Sequence, residues 1–108
     1  MTNQERTRWK TWADSLRQKM MTGLTAEVTK SVDDIISETA STKAQSTLRS
    51  AKFWEACQSG TSPSDFLTSA GFEIEFEQDE KRNVQKVNLR LNQTWMTILD
   101  GVLERKGV

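Results

Sequence analysis

Apolar and polar side chains alternate strictly in two short stretches of the chain's last third. Phe72, Ile74 and Phe76 interleave with Glu73, Glu75 and Glu77, while Val87, Leu89 and Leu91 interleave with Lys86, Asn88 and Arg90. A period of two marks a strand with one buried and one wet face. The runs 72–78 and 84–91 flank a charged tip, Gln78–Asn83, and predict one antiparallel hairpin. Setting Phe76 against Val87 also sets Ile74 against Leu89 and Phe72 against Leu91 on the apolar side. On the wet side the same register sets Glu77 against Lys86, Glu75 against Asn88 and Glu73 against Arg90. Opposite charges directly across such a pair contribute roughly 0.2–1 kcal/mol each. Two strands alone are marginal in water, so the apolar face must rest on helices or the edge must pair with another chain.

Elsewhere the apolar spacing is helical. Thr2 and Glu5 form a capping-box pair, and Trp9, Trp12, Ala13, Leu16 and Met20 follow at steps of three and four, predicting a helix over about 3–22. Leu24, Val28, Val32, Ile35 and Ile36 continue the stripe beyond Gly23, predicting a second helix over 24–39. An unbroken helix over 3–39 would be about 55 Å long and would demand a second chain to cover it, so a break near Gly23 is expected. Thr42 and Gln45 repeat the capping pattern ahead of a helix over 43–58, with Ala44, Leu48, Ala51, Phe53 or Trp54, and Cys57 inward. Ser62-Pro63-Ser64-Asp65 reads as an N-cap, a first-turn proline and an acid near the positive dipole end, opening a short helix over 63–70 that Gly71 closes. After the hairpin Asn92 caps a helix over 93–106, striped by Trp95, Met96, Ile98, Leu99, Val102 and Leu103 and ended by Gly107. The expected fold is therefore α+β: N-terminal helices, a two-stranded hairpin and a C-terminal helix in a single domain over 1–108.

Composition narrows the chemistry. The 108 residues carry 15 basic and 15 acidic side chains, so no net field draws the chain to nucleic acid or an anionic membrane. Charge is nevertheless segregated: residues 59–80 hold six acids and no base, and 81–108 hold six bases against two acids. His and Tyr are absent, which removes the commonest general acid/base, the commonest metal ligand and any Ser-His or Cys-His pair. The single Cys57 excludes an internal disulfide and suits a reducing compartment. No apolar run reaches the ~20 residues of a membrane span, and the N-terminus lacks a signal-peptide core. A cytoplasmic, non-enzymatic protein with no cofactor, no metal and no small-molecule substrate is the expectation.

Two surfaces then compete for a binding role. Trp9, Trp12, Leu16 and Met20 form an aromatic and Met stripe among Arg6, Arg8, Lys10, Arg17 and Lys19, as interface hot spots do. They mark the expected seam for a homodimer or another protein partner, making the chain a protein-interaction module that self-associates through its N-terminal helices. The alternative is a winged-helix-like nucleic-acid-binding regulatory protein. In coarse order, helix 43–58, helix 63–70, hairpin and helix 93–106 match a winged helix, with helix 63–70 entering the major groove, Lys81 and Arg82 at the tip and Lys86 and Arg90 behind it to meet phosphate. Against it, no Lys or Arg lies between Ser59 and Glu80, and an acid-rich reading segment repels the phosphate backbone. Glu73, Glu75 and Glu77, about 7 Å apart along one strand face, could hold a hard cation or an acid/base pair. Cross-strand pairing with Lys86 and Arg90 is the simpler use for them.

Overall fold

The computed structural model describes residues 2–106, with Lys106 defined by its backbone alone. The order is α1 (Asn3–Thr22), β1 (Glu27–Ser31), α2 (Val32–Thr39), α3 (Gln45–Leu48), α4 (Ala51–Ser59), β2 (Phe72–Gln78), β3 (Val84–Leu91) and α5 (Gln93–Lys106). The class is α+β as expected, but the antiparallel sheet has three strands in the order β1-β3-β2 rather than two.

The hairpin register is the expected one throughout: Phe72 faces Leu91, Ile74 faces Leu89, Phe76 faces Val87, and Glu73, Glu75 and Glu77 face Arg90, Asn88 and Lys86. An irregularity between Glu77 and Gln78 leads into the tip, where the Asp79 carboxylate accepts the backbone N–H groups of Lys81 and Asn83, each at 2.9 Å. Thr2 caps α1 by accepting the Glu5 N–H at 3.1 Å, and Asn92 caps α5 by accepting the Trp95 N–H at 3.0 Å. The closing role assigned to Gly107 falls outside the described residues.

The predicted helix over 24–39 is corrected to a strand and a shorter helix. Leu24 takes a left-handed backbone (φ 58°) and the Thr25 N–H donates to the Met20 carbonyl at 2.8 Å, ending α1 firmly. Glu27–Ser31 then pairs antiparallel with β3, Val28 opposite Leu89 and Lys30 opposite Val87. Leu24, Val28 and Val32 are four residues apart, and a step of four keeps side chains on one side of a strand as well as of a helix. The pattern was therefore silent, and the unsatisfied second edge of β3 decides the outcome together with β-branched Val28 and Thr29. Ser31 caps α2 by accepting the Asp34 N–H at 3.1 Å, and left-handed Ala40 (φ 53°) terminates it.

The predicted helix over 43–58 is broken at Arg49–Ser50 because its carbonyls are taken by other donors. Trp54 Nε1 donates to the Leu48 carbonyl at 2.7 Å, and the Val84 N–H at the foot of β3 donates to the Arg49 carbonyl at 2.8 Å. An uninterrupted helix would need both carbonyls for its own ladder. The predicted helix over 63–70, the groove-reading element of the winged-helix alternative, is also absent. Residues 61–71 run through successive turns, and Phe66 and Leu67 are both fully buried. Asp65, expected at the N-terminal end of a helix dipole, instead accepts from Arg6 at 2.6 Å. Eight residues gain little from helix formation alone, so the packing of Phe66 against Trp9 at 5.1 Å between ring centroids takes precedence.

The core lies between the helices and the sheet's apolar face. Phe72, Ile74, Val87, Leu89 and Leu91 line that face, and Trp9 sits among Trp12, Phe53, Trp54 and Phe66, its ring centroid 5.1–6.0 Å from theirs. Arg17 bridges α1 to the turn before β2 and to α5, donating to the Ala70 carbonyl at 2.7 Å and lying over the Trp95 ring at 4.3 Å. Gly71 (φ 102°) lets that ring approach: a Cβ there would stand 2.2 Å from Trp95 Cδ1.

Candidate nucleic-acid interface

The residues expected to form a partner seam are drawn together, but inward. Trp9, Trp12, Leu16 and Met20 are 0%, 8%, 8% and 4% exposed, all within the chain's own core. Trp12 Nε1 donates to Glu38 at 3.1 Å across the α1–α2 cleft. With β1, α2 and the Phe66 turn added to the hairpin, enough apolar surface exists to cover α1 within one chain.

The four cations of the alternative reading are separated. Lys81 and Arg82 stand exposed at the β2–β3 tip, Arg82 in a left-handed conformation (φ 65°). Lys86 and Arg90 lie on the wet sheet face between two polar columns. Arg90 pairs with Glu73 at 3.2 Å and also faces Glu27, while Lys86 lies opposite Glu77 and Ser31. Asn88 Nδ2 donates to Thr29 Oγ1 at 3.0 Å beside them. Glu73, Glu75 and Glu77 thus neighbour bases and amides rather than an oxygen cage.

A further surface went unnoticed in the sequence. Gln45, Ser46, Thr47 and Lys52 are exposed on α3 and α4, with Ser50 and Phe53 half-buried beside them, and Ser46, Thr47, Ser50, Lys52 and Phe53 line one shallow hollow. The Lys43 ammonium lies 5.9 Å from the Phe53 ring centroid, at the edge of the same hollow. A signal was available: between Glu38 and Glu55 the chain carries Lys43, Arg49 and Lys52 and no acid. Arg49 is engaged by Asp33, which leaves Lys43 and Lys52 as the cations of this surface.

Glu5 anchors the approach to this surface. Its carboxylate is 2% exposed and accepts from Trp9 Nε1 at 3.0 Å, from the Thr42 N–H at 3.0 Å, from Thr42 Oγ1 at 2.9 Å and from Ser41 Oγ. Burial alone would raise its pKa, but the donors from Ser41, Thr42 and Trp9 outweigh it and hold the carboxyl at about 2. The side chain that the capping box assigned to the helix start instead ties α1 to the turn between α2 and α3. Glu38 is treated alike: burial raises it, and hydrogen bonds from Lys30 and Trp12 together with the Lys30 and Lys19 charges bring it below the usual carboxylate range. Burial pushes the Cys57 thiol up to about 12 against a small opposing pull from Lys43, so the group is a packed sulfur and not a nucleophile.

No protein-family model, curated protein or solved structure matches this chain. Among the described residues no helix is long and apolar enough to cross a membrane.

Proposed function

We propose that this chain is a non-enzymatic nucleic-acid-binding module of winged-helix-like build. The observation that carries this reading is topological: a helix, a short strand, two helical units and a hairpin, with the first strand closing the sheet in the order β1-β3-β2. In a winged helix the second helical unit and the hairpin tip are the parts that meet nucleic acid. The acid-free stretch 39–54 leads into that helical unit, with Lys43 just before it and Lys52 on it, and Lys81 and Arg82 lie at that tip beside Asp79 and Glu80. The hydrogen bond from the Val84 N–H to the Arg49 carbonyl joins the two. A reducing, cytoplasmic setting fits the lone buried Cys57.

Fluorescence anisotropy with labelled nucleic acid tests the reading. Binding is expected with a dissociation constant on the order of 10⁻⁴–10⁻⁶ M at physiological salt, the range of contacts dominated by phosphate, and should tighten as salt is lowered. Lys43→Glu combined with Lys52→Glu should weaken it by about tenfold or more, whereas Lys86→Glu, set among sheet-face carboxylates, should change it little. Absence of binding in low-salt buffer refutes the proposal.

One observation favours a second reading, protein interaction by self-association, moved from α1 to α5. Ile98 and Leu103 are 44% and 40% exposed, and Trp95, Met96 and Val102 are only half-buried. The chain measures 48 × 33 × 23 Å with a radius of gyration of 14.4 Å, against about 13 Å for an equiaxial domain near this size. Sedimentation velocity across the micromolar range should then show a dimer that Ile98→Asp with Leu103→Asp converts to monomer. A wild-type monomer throughout that range excludes it.

A further inference from the structure

We infer, independently of the nucleic-acid reading above, that the outer edge of β1 docks an extended segment of a partner protein. The segment adds antiparallel as a fourth strand, with a base beside Glu27 and apolar side chains beside Val28 and Ala26.

The two edges of the sheet are finished differently. The Leu91 N–H donates to the Ala26 carbonyl at 3.0 Å, and the Asn92 N–H donates to the Gly71 carbonyl at 2.8 Å. Antiparallel bonding alternates along a strand, so Val28 and Lys30 also bond to β3 from one side and Glu73, Glu75 and Glu77 from the other. The residues between them turn their N–H and C=O groups outward. On β2 these groups are engaged: the Phe72 N–H donates to the Leu67 carbonyl at 3.1 Å, and the Ile74 carbonyl accepts from Gln58 Nε2 at 2.9 Å. On β1 the outward groups belong to Glu27 and Thr29, and the described residues supply them no backbone partner. Lysine is a residue type that deters strand addition at an edge, but Lys30 is drawn back onto Glu38 at 2.9 Å.

The rows of side chains that cross the sheet define what fits beside β1. On the wet face Glu73, Arg90 and Glu27 form one row, acid, base and acid. Arg90 pairs with Glu73 at 3.2 Å, and Glu27 stands outermost and exposed, so the next place in that row suits a base. On the core side Ile74, Leu89 and Val28 form a row, and so do Phe72, Leu91 and Ala26. Phe72 and Ile74 are buried at the β2 end of those rows, whereas Val28 and Ala26 are only half-buried at the open end. In strand addition the main-chain hydrogen bonds supply affinity and the alternate side chains supply selectivity. Opposite Thr29 to Ala26, the fitting antiparallel segment is polar, apolar, basic, apolar. Asn88, Leu89, Arg90 and Leu91 of β3 already present that pattern to the same four residues.

The experiment titrates the full chain into a labelled synthetic peptide, Lys-Val-Asn-Leu-Arg-Leu, and reads anisotropy. Saturable binding is expected. N-methylation of the peptide's Asn amide, the donor to the Thr29 carbonyl, should weaken it about tenfold or more. Replacing the peptide's Arg by Glu should weaken it about fivefold, and Glu27→Lys should restore that loss. Thr29→Pro removes only an outward N–H and should abolish binding, with thermal melts showing the fold retained. The N-methyl and charge-swap arms decide the matter even where that variant fails to fold. No binding at millimolar peptide overturns the docking edge, and so does binding indifferent to N-methylation. Binding indifferent to Glu27→Lys overturns the basic character assigned to the partner segment. A chain that is dimeric alone and monomeric with Thr29→Pro gives the edge to a second copy and overturns the partner segment altogether.

Discussion

Glu5→Gln should lower stability at pH 7 by about 3 kcal/mol and remove most of the protein's sensitivity to mild acid. The folded carboxyl titrates at about 2 and an unconstrained one at 4.5, so between those values the unfolded chain binds more protons than the folded one. The stabilisation, about 3 kcal/mol, is therefore fully present well above pH 4.5 and drains as pH falls towards 2. Glutamine keeps the shape but offers one acceptor oxygen where four donors converge, and its own NH₂ would face the Thr42 donors. A buried donor left without a partner costs about 1–3 kcal/mol. Urea midpoints of both proteins at pH 7, 4 and 3 measure the effect. The wild type should fall towards the variant as pH drops, retaining some slope from Glu38. Parallel curves, or equal stability at pH 7, would show that the carboxylate does not clamp α1 to Ser41 and Thr42.

Trp9→Ala is expected to have the largest effect of any single truncation, about 3–5 kcal/mol, the range for removing a buried tryptophan. The indole is fully buried, packs on four other rings and donates to Glu5, so its loss opens a cavity and strips one donor from the buried carboxylate. Trp9→Phe should retain part of the packing and lose roughly half as much. Denaturant unfolding followed by near-ultraviolet circular dichroism reads both. The result also separates a core role from a docking role. A Trp9→Ala protein of undiminished stability that fails to associate would return the residue to an interface.

How much of this molecule could be read along the chain depends on how local each cause is. The hairpin was legible to the residue because two independent patterns, apolar against apolar and acid against base, agree on one register. The caps at Thr2 and Asn92 and the buried face of α1 were legible for the same reason: donor, acceptor and stripe lie within a few positions of one another. Legibility failed where the deciding partner is distant. β1 exists because β3 presents a second edge some sixty positions away, and the break at Arg49 exists because the distant Val84 N–H takes the Arg49 carbonyl. Pro63 and Asp65 signalled a helix start that the burial of Phe66 overrode. For the binding surface, Lys81 and Arg82 stood out as neighbours in sequence. Lys43 and Lys52 become one surface only after the break at Arg49–Ser50 sets them beside the same hollow.

The order of residues alone settled the α+β class, the strand pairing at 72–91 and which side of α1 turns inward, since these follow from periodicity and short-range hydrogen bonding. The fold as a whole brought that inward side into this chain's own core. It also settled that Glu5 serves Ser41 and Thr42 rather than its own helix end, and that α5 is the helix left with apolar side chains in water. Covering a surface is a matter of summed area and geometry across distant segments, which no local pattern encodes.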